Sequence, residues 1–102
     1  MSSASTMPTI PTLHLNGTSG TTLVEEYRDA YKAIDRAIDA LAATTCNGRD
    51  FYPQGPDAYY RAREERQQAL QKLREAQEYV ELIWAGISDQ MYEREQARRA
   101  GR

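Results

Sequence analysis

Residues 69–91 decide the fold of this chain; they read ALQKLREAQEYVELIWAGISDQM. Their apolar side chains recur at spacings of three and four, which places them on one face of an α-helix. The full stripe consists of Ala62, Ala69, Leu73, Ala76, Val80, Ile83, Ile87 and Met91, joined by Leu70 and Trp84. Pro56 and Asp57 suit a first helical turn, and only Gly86 interrupts the run before Gly101. We therefore predict a long helix over residues 56–98.

A second amphipathic stretch lies upstream. Thr22-Leu23-Val24-Glu25 has the form of a capping box, in which Thr22 and Glu25 each satisfy a free backbone N–H group. The apolar stripe that follows consists of Leu23, Tyr27, Ala30, Ile34, Ala37 and Leu41, widened by Tyr31 and Ile38. Weak helix formers and Asn47-Gly48 follow Thr44, so we predict a helix over residues 22–44 and a connector over residues 45–55.

The expected architecture is all-α: an antiparallel two-helix hairpin with a long second helix. At 1.5 Å per residue the helices are roughly 60 Å and 33 Å long, so the second overhangs the first. A chain of 102 residues buries little of its surface alone. The overhang, together with Tyr79 and Leu82 off the main stripe, therefore predicts a homo-oligomer.

The chain before Glu25 contains no charged residue and is rich in Ser, Thr, Gly and Pro. Residues 1–12 are predicted to form a flexible, extended arm. Leu13 and Leu15 alternate with polar residues as in a very short strand, so residues 13–21 are predicted as a strand followed by a Gly/Ser/Thr loop.

Composition excludes several functional classes. A net charge of -2 gives no bulk reason for binding nucleic acid or an anionic membrane, and no apolar run is long enough to span one, which predicts a cytoplasmic protein. His14 and Cys46 are the only residues of their types, too few for the usual catalytic or metal-binding sets. The carboxylates lie among basic residues at helical pairing distances. We therefore expect a protein that is not an enzyme and has no cofactor or metal.

The first candidate binding site precedes the first helix. Small hydroxyl residues and glycines before a helix N-terminus can bind an anion through free N–H groups, aided by the helix dipole. The candidate residues are Asn16, Gly17, Thr18, Ser19, Thr21 and Thr22. The spacing is not that of a Walker loop, and a hinge with a helix cap is the alternative interpretation.

The second candidate site is the connector. Arginine offers a planar fork for phosphate, and tyrosine rings offer a platform for a base. The candidate residues are Asn47, Arg49, Asp50, Tyr52 and Tyr59. Alternatively, Arg49 caps the carbonyls at the end of the first helix while Phe51 and Tyr52 close the hairpin. A hairpin places the two candidate sites about 33 Å apart, so a small ligand that binds both must lie between chains.

Two motifs, HLNGTS at residues 14–19 and NGRDFYPQGP at residues 47–56, resemble those of a group of small phage and prophage proteins. The resemblance spans most of residues 9–92. The hairpin is also similar in shape to the phage anti-CBASS and anti-Thoeris sponges. These resemblances imply a non-catalytic oligomer that holds a cyclic nucleotide or an ADP-ribose-derived signal between protomers. Arg49, Tyr52 and the Gly17-to-Thr22 segment are the positions matched to phosphate and base contacts.

The resulting hypothesis is a phage-encoded protein that sequesters a nucleotide immune signal in the cytoplasm of the infected cell. Two alternatives remain. The chain could be a structural or assembly component of a phage particle, in which the arm adds a strand to a neighbour. It could also be a small adaptor or inhibitor that binds a host protein through an exposed helix face.

Overall fold

Two antiparallel helices form the fold in the computed structural model, which describes residues 7–101. Helix α1 spans Gly20–Ala42 and helix α2 spans Ala58–Ala100, and two short 3-10 turns, Gly48–Asp50 and Tyr52–Gln54, lie between them. The start of α1 lies against Met91, and Asp35 near its middle accepts a hydrogen bond from Gln77. The predicted all-α hairpin with a long second helix is confirmed. No strand occurs within residues 7–101, so the short strand predicted at Leu13–Leu15 is wrong.

Helix α1 begins two residues before the predicted start, and its N-cap is Ser19. The Ser19 hydroxyl oxygen accepts the Thr22 N–H at 3.1 Å, and the Ser19 carbonyl oxygen accepts the Leu23 N–H at 3.0 Å. The predicted capping box with Thr22 as N-cap is therefore wrong. Gly20 is the first residue of the helix: a Cβ at this position would lie 2.8 Å from Met91 Cγ, so glycine lets α1 approach α2 closely.

The connector is longer than predicted because both adjoining helix ends differ from the predicted bounds. Helix α1 ends at Ala42 rather than residue 44, and α2 spans 58–100 rather than 56–98. Pro56 lies in the turn before α2, and Asp57 is an N-cap whose side chain makes no capping hydrogen bond. Gly55 has a φ of 116°, a backbone conformation that favours glycine and ends the second 3-10 turn.

The buried side chains of the described region all belong to α2. They are Ala58, Leu70, Val80, Ile83 and Ile87, of which Ile87 is completely buried. The predicted stripe accounts for four of these five residues, but Ala58 was not predicted, and Ala37 and Ala76 are exposed. No residue of α1 is buried, although the other members of its predicted stripe are half-buried. One neighbouring helix therefore covers only part of the apolar surface of α1.

The segment at residues 8–13 covers a second side of α2. The Gln90 side-chain amide donates to the Pro11 carbonyl oxygen at 2.7 Å and accepts the Leu13 N–H at 2.9 Å. Ile10 lies directly on Gly86, and Leu13 lies beside Gly20. Six residues of the predicted flexible arm, 1–6, lie outside the described residues; the rest of the arm runs along α2 rather than standing free.

The overhang of α2 is shorter than the helix lengths suggest. The guanidinium of Arg66 bonds the last carbonyls of α1, while Gly20 at the other end of α1 faces Met91. The connector lies against the first turns of α2, since Tyr59 packs on Phe51. Residues 92–100 therefore form the overhang, about 14 Å by helix rise. Within the described residues, no helix is both long and apolar enough to cross a membrane.

Gly86→Ala tests whether Ile10 is seated on α2. The added methyl would lie 2.5 Å from Ile10 Cδ1, and the resulting overpacking should outweigh the gain in helix propensity, lowering the free energy of unfolding by about 1 kcal/mol. In an Ile10→Ala background the obstruction is gone, so the same change should raise stability by roughly 0.5–1 kcal/mol. Urea denaturation of the four proteins measures both effects. An equal effect of Gly86→Ala in the two backgrounds would contradict the contact.

Candidate functional site

The connector is held at its start by Arg66, a residue for which we predicted no role. Its Nη2 group donates to the carbonyl oxygens of Leu41, Ala42 and Thr44 at 3.2, 2.6 and 2.7 Å. Its Nε group donates to the Thr44 hydroxyl at 3.2 Å. One guanidinium from α2 therefore caps the C-terminus of α1, where free carbonyls and the negative end of the dipole favour a cation.

Arg66 occupies the role that the alternative interpretation assigned to Arg49. The Arg49 backbone N–H is held by the Asn47 side-chain oxygen at 3.1 Å, and residue 49 is exposed. Within residues 7–101 the Arg49 guanidinium makes no hydrogen bond and no ion pair. The alternative interpretation, in which Arg49 caps α1, is therefore wrong, and the Arg49 guanidinium is accessible to an anion.

Four aromatic side chains lie in the connector and the first turn of α2, at the same end of the hairpin as Arg49: Phe51, Tyr52, Tyr59 and Tyr60. Tyr59 packs against Phe51 with ring centroids 6.5 Å apart, and against Tyr60 in an edge-on arrangement at 5.3 Å. Tyr52 and Tyr60 are 73% and 63% exposed, so their rings are available as contact surface. Of the predicted connector residues, Arg49, Asp50 and Tyr52 are exposed, while Asn47 and Tyr59 are half-buried.

Asn47 and Tyr59 have structural roles that their selection as ligand residues did not include. The Asn47 side chain caps the first 3-10 turn, and the Asn47 backbone carbonyl oxygen accepts the Asp50 N–H at 3.1 Å. The Tyr59 ring lies against Gly48 and Phe51 and so fixes the connector on α2. Asn47 and Tyr59 therefore hold in place the connector that carries the exposed residues Arg49, Asp50 and Tyr52. Tyr60, which we did not select, presents more of its ring to a ligand than Tyr59 does.

The first candidate site lies at the start of α1, where all six predicted residues are exposed. The Ser19 hydroxyl also donates to Thr22 Oγ1 at 2.9 Å, so this pair is partly engaged within the cap. The N–H groups of Gly20 and Thr21 have no acceptor among the described residues. The first turn contains no acidic residue that would offset the positive end of the dipole.

The loop before this helix is a tight turn. The Gly17 N–H donates to the His14 carbonyl oxygen at 3.1 Å, and the His14 ring folds back over Gly17. A Cβ on Gly17 would lie 2.8 Å from His14 Nε2, so glycine permits this close approach. Asn16 and Thr18 are exposed on either side of Gly17. The segment is a defined turn followed by a helix cap, so the helix cap of the alternative interpretation is present.

The two candidate sites are not brought together within one protomer. They lie at opposite ends of α1, about 35 Å apart by the rise of its 23 residues. Within residues 7–101, no polar or charged residue is buried, and no cluster of three or more His, Cys, Asp or Glu side chains is arranged to hold a metal. The ion pairs in this region join Glu95 to Arg98 and Arg99, near the end of α2.

Protein-family models, curated proteins and solved structures were compared with this chain, and none of them matches it. The candidate sites are therefore described by their own geometry: an exposed arginine among tyrosines at one end, and a helix N-terminus at the other.

Replacement of Arg66 tests the clamp on α1. Arg66→Ala removes charge-assisted hydrogen bonds to three carbonyls and should lower the free energy of unfolding by about 1–3 kcal/mol. Arg66→Lys keeps the positive charge without the planar guanidinium, so its free energy of unfolding should lie between those of the wild type and Arg66→Ala. The matched control is Arg63→Ala, an exposed arginine one turn away, which should change stability by less than about 0.5 kcal/mol. Urea denaturation that gives equal losses at both positions would refute the clamp.

Proposed function

We propose that this chain is a phage-encoded, non-catalytic binding protein that sequesters a nucleotide immune signal and so counters host antiviral defence. The proposed ligand is a cyclic oligonucleotide or a cyclic ADP-ribose-type molecule, held by a homo-oligomer in the cytoplasm of the infected cell. The observation that carries the proposal is the accessible Arg49 guanidinium on a connector that other residues hold in place.

The chemistry of this end of the hairpin suits a nucleotide. Arg49 can donate two parallel hydrogen bonds to phosphate oxygens, and its backbone is fixed by Asn47, which limits the entropy lost on binding. The exposed rings of Tyr52 and Tyr60 offer surfaces on which a base can stack. A hydrogen-bond donor for phosphate and exposed aromatic rings at the same end of the hairpin match the two chemical halves of a nucleotide.

The start of α1 offers a second phosphate contact through the N–H groups of Gly20 and Thr21. Because the two ends of a protomer are about 35 Å apart, one small ligand can bind both contacts only between chains. The incomplete burial of α1 supports self-association, since a second copy would cover apolar side chains that one hairpin leaves wet. The resemblance of the HLNGTS and NGRDFYPQGP motifs to those of small phage and prophage proteins suggests the same interpretation.

The packing of the arm favours this proposal over a particle component that adds a strand to a neighbour. Pro11 and Leu13 direct backbone groups to Gln90 of their own chain, and Ile10 fills the space over Gly86. Strand addition would have to break these contacts first. Detection of the protein at high copy in purified particles would support that alternative, and recovery of one stoichiometric host protein would support an adaptor.

Isothermal titration calorimetry tests the proposal. The purified protein is titrated with cyclic di- and trinucleotides and with cyclic ADP-ribose isomers, and at least one should bind with saturable heat. Arg49→Ala should weaken that ligand at least about tenfold, because hydrogen bonds to charged groups contribute roughly 1.5–3 kcal/mol.

Arg36→Ala is the matched control, since it removes an exposed arginine from the middle of α1 and should leave the affinity unchanged. If the wild-type protein gives no binding heat with any nucleotide of the panel, the proposed function is overturned. A ligand that binds wild type and Arg49→Ala equally would exclude the connector from the site.

A further inference from the structure

The part of the arm that runs along α2 lies in a groove whose binding chemistry the structure shows. The Gln90 side chain accepts the Leu13 N–H at 2.9 Å and donates to the Pro11 carbonyl oxygen at 2.7 Å, so it binds backbone groups. Gly86 leaves room for Ile10, because a Cβ on this glycine would lie 2.5 Å from Ile10 Cδ1. The ligand of the groove is therefore an extended segment with these side chains, and every copy of the chain carries one.

The arm joins α1 through residues 14–19, which form an exposed hinge. All six residues are exposed, and within residues 7–101 one backbone hydrogen bond, from the Gly17 N–H to the His14 carbonyl oxygen, closes the turn. Opening the hinge therefore breaks this hydrogen bond and the contact of the His14 ring with Gly17. It leaves the side chains that bind the arm, those of α2, unchanged.

The direction of the arm suits a second copy that faces the same end of the hairpin. Ile10 contacts Gly86 and Leu13 contacts Gln90, so the arm runs in the same direction as α2 and opposite to α1. When the hinge is extended instead of turned, the arm continues along the axis of α1 and leaves the hairpin beyond Gly20. A copy related by a two-fold axis at this end presents its α2 groove in the direction that this arm requires.

We propose that two copies of this chain exchange arms, so that residues 8–13 of each lie in the α2 groove of the other and the two hairpins are joined end to end. Each contact of the arm is then remade with the same residue of the other copy. Exchange therefore keeps the contacts that strand addition to an unrelated neighbour would lose. It joins the ends that carry the α1 N-termini, leaves both connectors free, and does not depend on nucleotide binding.

The overhang of α2 matches the length of the hinge. Residues 92–100 extend about 14 Å beyond α1 and packed helices lie about 8–10 Å apart, so overhangs lying side by side place each groove roughly 17 Å from the other α1. Residues 14–19 span roughly 20 Å when extended, which is sufficient.

The paired overhangs also explain why the exchanged dimer is favoured over the closed single chain, since their contacts form only in the dimer. Antiparallel overlap covers Tyr92, which is 65% exposed. It also places the half of each overhang with net negative charge against the basic half of the other. These halves contain Glu93, Arg94 and Glu95, and Arg98 and Arg99, respectively.

Disulfide trapping between two variants tests the exchange. In a Cys46→Ser background, Ile10→Cys and Gly86→Cys are made in separate chains, because the side chains at these positions are close enough for a disulfide. A mixture of the two should form a crossed covalent dimer on mild oxidation. Each variant alone should remain monomeric on a non-reducing gel, since like positions of the exchanged dimer lie roughly 30 Å apart by helix rise.

The chain that carries both cysteine substitutions is the control for the oxidation, and it should form the disulfide. No crossed dimer in the mixture would overturn the exchange. Linking of either single variant with itself as efficiently as the crossed pair would overturn it as well.

Gly17→Pro tests the hinge with the native arm and groove intact. Proline removes the N–H group that closes the turn and favours an extended residue before it, so the hinge should open. Analytical ultracentrifugation should show a dimer dissociation constant about tenfold lower than that of the wild type, because both hinges of a dimer are affected. Thr18→Ala, in the same exposed hinge, is the matched control and should leave association unchanged.

A Gly17→Pro chain that dimerises no more tightly than the wild type would overturn the exchange. The two proposals fail separately: calorimetric nucleotide binding without crossed dimers would refute the exchange alone, and crossed dimers without any nucleotide binding would refute the nucleotide proposal alone.

Discussion

The structure depends on covering α2 from two sides over one short section. Where α1 and residues 8–13 both lie against it, Ile83 and Ile87 reach 1% and 0% exposure. The contact of Tyr31 with Trp84 marks the α1 side, and the contact of Ile10 with Gly86 marks the other. A helix pair alone provides one apolar seam, and closer burial needs a third element. The arm provides that element, and its position along α2 is fixed by two hydrogen bonds with the Gln90 side chain, which accepts the Leu13 N–H and donates to the Pro11 carbonyl oxygen.

This arrangement leaves the ends of the hairpin free to carry function. The buried section contains only apolar residues, so it offers stability and no chemistry. At the ends, short turns are held by local hydrogen bonds: Ser19 at the start of α1, and Asn47 at the start of the connector. Each turn fixes backbone while leaving side chains such as Leu15, Arg49 and Tyr52 exposed. A ligand or a second chain can then bind without first ordering these segments, which reduces the entropic cost of association.

The sequence predicts those features that follow from local rules. Helical spacing identified both helices and four of the five buried side chains, and Asn47-Gly48 identified the end of the first helix region. The start of α1 was misassigned because Ser19 and Thr22 are both good N-cap residues, and the choice between them depends on the fit of Gly20 against Met91, which lies far away in sequence. The arm contacts Gln90 through Leu13 and Pro11, which precede it by 77 and 79 positions in the sequence. No local sequence pattern reports a contact over that separation.

The same distinction separates what could and could not be predicted about the candidate site. The alternative interpretation of the sequence named only Arg49 as a cap of α1, and Arg49 is nearer to the end of α1 along the chain than Arg66 is. Arg66 lies 22 to 25 positions from the carbonyls it bonds, yet the antiparallel register places it beside them. Because a helix C-terminus needs few donors, one guanidinium is sufficient, and the second arginine is left without a structural task. The proposed role of Arg49 in binding therefore rests on the position of Arg66, a residue on the opposite helix.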